Sequence, residues 1–343
     1  MFESDATTSR RALLASAGVG LAAGALAPGL AHAATAKQTA AAGEPVWSAE
    51  YWAHKGPVQL YVYRKRLGAP KKGDVRPVVF LVHGSSNASR SSFDLTVPGR
   101  GEYSFMNVLA RYGFDVWTMD HEGYGKSART DSNSNIASGA ADLEAAAAVV
   151  TQETGLKKFH YFGESSGALR AGVLAMNRPD LVDRLVLSAF TYTGEGSPTL
   201  AKRAEQLEFY KTHNRRKRDR DMIRSIFLRD HPGVSDPAVA EALADVEMVY
   251  GDTVPTGTYL DMTSNLPVVD PLKVTSPVLI LRGEFDGIST EVDLLSFYRK
   301  LPNNDRQYVT LPNAAHALVM GINRHQTWYT TRAFLDMPPS QAV

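Results

Sequence analysis

Gly163-Glu164-Ser165-Ser166-Gly167 joins two segments of different periodicity, and that junction limits the folds open to this chain. Before it, Lys158 to Phe162 reads Lys-Phe-His-Tyr-Phe, short and aromatic-rich as a buried strand is. After it, Ala168 to Met176 sets good helix formers on a periodic apolar face. A G-x-S-x-G sequence between strand and helix is the nucleophile-elbow pattern. A tight, strained turn lifts the Ser165 hydroxyl above a sheet, and small neighbours keep Cβ atoms out of the bend. The helix starting there aims backbone N–H groups and a positive dipole end at the place where an oxyanion would form. Read alone, the pentapeptide could equally be a flexible Gly/Ser turn. Its setting favours the elbow.

The partners such a serine needs stand elsewhere, each just past a strand-like run. Pro77 to Val82 is continuously apolar, as suits a strand covered on both faces, and ends in His83-Gly84-Ser85-Ser86. Pro277 to Leu281 leads into Arg282-Gly283-Glu284-Phe285-Asp286-Gly287, which puts a carboxylate beyond a strand end. Tyr308 to Leu311 runs into Pro312-Asn313-Ala314-Ala315-His316. The candidates therefore follow the chain order Ser165, Asp286, His316. Capping of the following helix is the competing role for Asp286. Glu284 is the nearest alternative acid, with Asp270 further off.

With these motifs in place, the chain resembles the α/β-hydrolase superfamily, on its esterase and lipase-like side. The resemblance spans about Val75 to Leu335 and rests on the His83-Gly84 strand end, Met119-Asp120-His121-Glu122-Gly123-Tyr124-Gly125-Lys126-Ser127, the elbow, the Gly-Glu-Phe-Asp strand end and the Asn-Ala-Ala-His turn. It implies a serine hydrolase with Ser165, Asp286 and His316 as catalytic residues, and an oxyanion hole from the backbone N–H groups of Ser85 and Ser166. It also implies hydrolysis of carboxylic esters through an acyl-enzyme, with no cofactor and no metal. Lactones, amides, C–C bonds beside a carbonyl and peracid formation stay open for the same machinery. A non-catalytic binding protein is a further alternative. Glu122 stands where such chains often carry Arg, which implies different salt bridging near the site. His83 reads as structural; His121 reads equally as site wall or loop.

The remaining strands and helices fit that fold class, α/β with a mostly parallel sheet covered by helices on both faces. Val58 to Arg64 nearly alternates, which suggests antiparallel strands at the leading edge. Phe114 to Met119 is a core strand after a helix near Ser104 to Tyr112, and Leu185 to Ala189 follows the elbow helix. Ser138 is placed to cap a helix ending at Gly155. Residues 191–271 exceed a simple crossover. Ser197-Pro198 opens one helix in them, and Asp236-Pro237 opens another that ends at Gly251. They form a helical cap in this reading, with the hydrolase core at 34–190 and 272–343. The basic run Arg215 to Arg220 reads as a solvated face at a helix start, with a specific anion-binding role as the alternative.

Composition narrows the partners. A formal charge of +1 over 343 residues gives no case for nucleic acid. No cysteine is present, which excludes disulfides, cysteine nucleophiles and thiolate metal sites. A small-molecule, ester-like substrate is expected. At the start of the chain, Arg10-Arg11 precedes a small-residue apolar stretch to Leu30, followed by Ala31-His32-Ala33. This layout resembles a twin-arginine export signal over residues 1–33, with the mature chain periplasmic or secreted. Gly18, Gly20, Gly24, Pro28 and Gly29 make the stretch a poor membrane anchor.

Overall fold

Side chains along the central strands alternate between two buried clusters, and that alternation sets the layers. Val78, Phe80 and Val82 join one apolar cluster, whereas Val79 and Leu81 between them join the other. The computed structural model describes residues 44–338; the export-signal reading of residues 1–33 lies outside them. Among the described residues ten strands form two sheets. These strands are β1 (Val46–Lys55), β2 (Val58–Leu67), β3 (Val78–Val82), β4 (Asp115–Met119), β5 (Phe159–Glu164), β6 (Val182–Ser188), β7 (Arg215–Lys217), β8 (Thr253–Pro255), β9 (Val278–Gly283) and β10 (Arg306–Leu311). Eight of them make the central sheet in the order β1-β2-β4-β3-β5-β6-β9-β10. β1 pairs antiparallel with β2, and β2 with β4; every other neighbour is parallel. Continuous apolar runs were the sequence signal for these parallel strands, since both faces are covered.

Helices α1 (Ser89–Phe93), α2 (Phe105–Arg111), α3 (Ile136–Thr154) and α4 (Ser166–Asn177) connect the first six strands. α3 and α4 pack through Leu143, Leu169 and Leu174 on one face of the sheet, and α2 through Phe105 and Leu109 on the other. Burying each such side chain stabilises the fold by about 1.5–3 kcal/mol. The start of α3 differs from the sequence reading. Its cap is Asn135, whose side chain accepts from Ser138 N at 2.8 Å, so Ser138 is the donor and not the cap. The stop holds: Gly155 takes φ 75° and its N–H returns to Thr151 O.

Residues 191–271 carry α5 (Pro198–Ala204), α6 (Leu207–Thr212), α7 (Arg220–Leu228), α8 (Pro237–Met248) and α9 (Gly257–Leu260). Ser197 and Asp236 cap α5 and α8 as their Ser-Pro and Asp-Pro pairs suggest, but α8 stops at Met248, short of Gly251. The insertion is not helical throughout, because β7 and β8 pair as an antiparallel ribbon. The basic run is thereby corrected. Arg215 to Lys217 is a strand, Arg218 is buried, and only Arg220 opens a helix. The insertion has no core of its own: Ile223, Phe227, Val239 and Leu243 share the cluster of Phe93 and Leu318, while Leu200 and Met262 join the other. α10 (Glu291–Lys300) and α11 (Arg324–Leu335) complete the layers around β9 and β10.

Candidate active site

Ser165 sits between β5 and α4 at φ 57°, ψ −124°, a conformation that costs a residue with a side chain roughly 1–3 kcal/mol. Its N–H donates to Ser188 O at 2.8 Å, and its carbonyl accepts from Ala168 N at 2.9 Å. The elbow is crowded from below: a Cβ on Gly167 would run into the carbonyls of Val82 and His83. Only glycine lets the helix start so close to β3.

His316 follows β10 and faces this turn. Its Nε2 accepts from Ser165 Oγ at 2.9 Å, while its Nδ1–H donates to both oxygens of Asp286 at 3.0 Å. Asp286 lies in the loop after β9. Its Oδ1 also accepts the N–H groups of Ile288 and Ser289 at 2.8 and 3.1 Å. Burial alone would raise this carboxyl, but the His316 imidazole and these backbone donors hold it below its ordinary value. Two backbone bonds, Glu284 N to Leu311 O and Phe285 N to Ala314 O, fasten the acid loop to the histidine loop. The competing acids point elsewhere. Glu284 is exposed and accepts from Asn313 N, and Asp270 caps the single turn at Pro271–Lys273. Asp286 does not cap α10; Thr290 does.

Ser166 is the first residue of α4, so its N–H has no acceptor within the helix. Ser85 stands beside it, Oγ to Oγ at 2.8 Å, and Ser85 Oγ also meets Thr258 Oγ1 at 2.6 Å. The next residue, Ser86, takes φ 81° and bonds Tyr259 Oη through its hydroxyl. Its carbonyl accepts from Arg218 at 2.6 Å. The loop after β3 is thus held from the insertion side. Arg218 pairs in turn with buried Glu247, which accepts from Ala88 N at 2.6 Å and from the Ser91 hydroxyl. Asp120 holds the same loop by accepting from Ser89 N at 2.8 Å and Ser89 Oγ at 2.6 Å. Thr258, Tyr259 and Glu247 carry no motif and sequence reasoning missed them, whereas Arg218 shows in the sequence only as part of the basic run.

The other histidines near the strand ends have structural partners. His83 Nδ1–H donates to Gly84 O at 2.8 Å, and Nε2 accepts from His121 N at 3.1 Å. His121 lies against His83 and Asp142, and Ser165 is not among its partners. Burial and the nearby Arg170 push both imidazoles well below their usual range, so they stay neutral. Glu122 ion-pairs with Lys55 at 2.8 Å. Glu164 is buried beneath the elbow with one oxygen lacking a hydrogen-bond partner, and burial pushes its carboxyl up to about 8.

A cavity of about 50 Å³ opens on Ser165 and His316, lined also by Ser85, Glu164, Arg203 and Met320. Beside it, within the insertion, lies a second of about 530 Å³, and Ser86, Arg203, Ile226 and Arg229 line both. Among the described residues no group of three or more His, Cys, Asp or Glu is arranged to hold a metal ion, and no helix is long and apolar enough to cross a membrane.

No curated protein matches the sequence. Solved structures do resemble the fold. Carboxylesterase CesB from Bacillus subtilis has a TM-score of 0.60 at 17% identity, covering 85% of this chain and 93% of its own. The 2-hydroxy-6-oxo-6-phenylhexa-2,4-dienoate hydrolase from Rhodococcus sp. strain RHA1 has a TM-score of 0.63 at 18% identity, covering 85% and 100%. The enol-lactonase from Burkholderia xenovorans LB400 has a TM-score of 0.59 at 17% identity, covering 84% and 100%. At such identities the likeness establishes fold alone. The profile of the serine aminopeptidase S33 family matches residues 73–322, most of the chain. The chain belongs to that family and is a hydrolase of the α/β-hydrolase superfamily.

Proposed function

We propose that this protein is an exported serine hydrolase that cleaves carboxylic esters through Ser165, His316 and Asp286. The continuous hydrogen-bond chain from Asp286 through His316 to Ser165 Oγ carries the reading, because each atom already has the donor or acceptor role that acyl transfer needs. Ser165 Oγ attacks the ester carbonyl as His316 Nε2 takes its proton. Asp286 fixes the tautomer and stabilises the imidazolium. The N–H groups of Ser85 and Ser166 receive the oxyanion, each such donor contributing about 3 kcal/mol to the transition state. Collapse of the tetrahedral intermediate expels the alkoxide, which takes the proton back from His316. Water then attacks the acyl-enzyme by the same route, releasing the acid and restoring Ser165. Every step uses the chain's own groups and water.

The family's aminopeptidase chemistry is the second reading, favoured by the family match. It would bring a substrate ammonium group to a site whose adjoining cavity is lined by Lys202, Arg203, Arg216 and Arg229 against the single carboxylate of Asp230. Like charge opposes that fit. The structural relatives include a carboxylesterase, an enol-lactonase and a dienoate hydrolase, so substrate panels must separate ester, lactone and C–C bonds. The insertion acts as a cap that walls the pocket and sets substrate size. Export follows from Arg10-Arg11 and the weakly apolar stretch behind it.

A fluorophosphonate probe should label Ser165, and Ser165→Ala should lose both the label and p-nitrophenyl butyrate hydrolysis, by about 10⁴-fold or more in kcat. An unlabelled but folded wild type would favour a binding protein. Faster turnover of peptide p-nitroanilides than of esters would favour the aminopeptidase.

A further inference from the structure

The larger cavity is lined by Lys202, Arg203, Arg216 and Arg229 against one described carboxylate, Asp230. Within the basic run around Arg216, Arg215, Arg218 and Arg220 each reach an acceptor. Arg215 donates to Thr253 O at 2.9 Å, Arg218 pairs with Glu247, and Arg220 reaches Asp245 at 2.5 Å. Arg216 has no such partner among the described residues. Its guanidinium lies 4.7 Å from the centre of the Tyr259 ring and lines the cavity. Arg203, from α5, approaches the same ring at 5.2 Å. No described carboxylate lies within ion-pair distance of either guanidinium; across the cavity, Arg229 is paired with Asp230 at 3.2 Å. Two cations sharing one aromatic ring repel each other, and the ring's quadrupole offsets only part of that cost. Burial and the nearby Arg229 pull Arg203 down to about 10, still charged at neutral pH. An anion between the two would relieve the repulsion and receive paired, charge-assisted hydrogen bonds.

Position adds the link to chemistry. Arg203 and Arg229 line the small cavity on Ser165 as well as the large one, so one substrate can span both. Ile226, Met222 and Pro198 line the large cavity too, which suits a short carbon chain between the two ends. From this juxtaposition we infer that the substrate is an ester bearing a free carboxylate, held by Arg203 and Arg216 while its ester carbonyl sits at Ser165. The inference rests on the ester reading above for its chemistry, though the anion site itself stands on the cavity alone.

Two arms test it. The first compares mono-p-nitrophenyl glutarate with p-nitrophenyl pentanoate, which have the same chain length and differ in the terminal carboxylate. Wild type should favour the glutarate ester by about tenfold or more in kcat/KM, the worth of one charge-assisted contact. Arg203→Gln and Arg216→Gln, made separately so that one can fail to fold without ending the test, should each reduce that ratio. Equal kcat/KM for both esters, or preference for the neutral one, overturns the carboxylate assignment.

The second arm needs no turnover: calorimetric titration of glutarate and of its neutral diamide into Ser165→Ala. Glutarate should bind and the diamide should not, and adding either arginine substitution should weaken glutarate by about tenfold. Glutarate binding with neither ester hydrolysed supports the anion site and overturns the ester reading. Pentanoate ester hydrolysed with no glutarate bound does the reverse.

Discussion

Asp286 and Glu164 are both buried carboxyl groups within reach of the elbow, and their surroundings drive them in opposite directions. Asp286 faces an imidazole and two backbone N–H groups, so its charged form is favoured. Asp286→Asn should keep His316 near its place but reward the wrong tautomer, lowering kcat by about 10⁴-fold with little change in KM. Glu284→Gln should be mild, since that exposed side chain accepts from the backbone N–H of Asn313 and from no other described residue. Steady-state kinetics of both variants check the assignment, and a crippled Glu284→Gln beside a mild Asp286→Asn would reverse it. Glu164 forms no ion pair among the described residues, and burial raises it from 4.5 to about 8. A carboxyl whose folded value is raised holds its proton longer in the native state than in the unfolded chain. Its stabilising effect is full below about 4.5 and is lost as pH climbs towards about 8, at up to ~1.4 kcal/mol per pH unit. Glu164→Gln should therefore gain on wild type steadily from pH 5 to pH 8 in urea unfolding. A stability difference independent of pH would show that Glu164 ionises normally.

At the scale of elements, what was legible depended on how local the cause was. The strand at Val78–Val82 showed as an apolar run because both its faces are buried, and α5 and α8 showed through capping residues followed by Pro. The α3 start was misread because Asn135 and Ser138 are both cap-type residues within one turn. What separates them is backbone conformation, extended at Asn135 with ψ −179°. Asn135→Ala should then cost about 1 kcal/mol and Ser138→Ala should leave the cap bond intact, since only Ser138 N takes part in it. Thermal unfolding of the two variants distinguishes them. A larger loss from Ser138→Ala would also have to be weighed against its side-chain contact with Lys55 at 2.8 Å, which the double substitution with Lys55→Met isolates. The basic run failed for a different reason. Arg216 pairs in register with Val254 and Arg218 is buried on Glu247, and neither partner is near it in sequence. The catalytic candidates could be found because each follows a strand with a recognisable ending. Thr258, which ties the insertion to Ser85, sits in a segment with no such marker.

For the molecule as a whole, the site is completed only when distant parts of the chain have met. The loop after β3 is held by Arg218, Thr258 and Tyr259, and the insertion shares both apolar clusters with the sheet. Assembly needs no oxidising compartment, since the chain has no cysteine. Such a protein can finish folding in the cytoplasm, which is the condition for twin-arginine transport. The proposed signal, with Arg10-Arg11 ahead of a Gly-rich apolar stretch and Ala31-His32-Ala33 behind it, matches that route. Replacing both arginines by lysine keeps the charge and removes the paired guanidinium groups. Full-length, esterase-active precursor should then accumulate in the cytoplasm, whereas the unaltered chain should appear outside the inner membrane beginning near Ala34. N-terminal sequencing of the exported fraction, with activity assayed in each compartment, reads both outcomes. Met1 retained in a membrane pellet would make the segment an anchor, and unhindered export of the lysine variant would assign the protein to a route for unfolded chains.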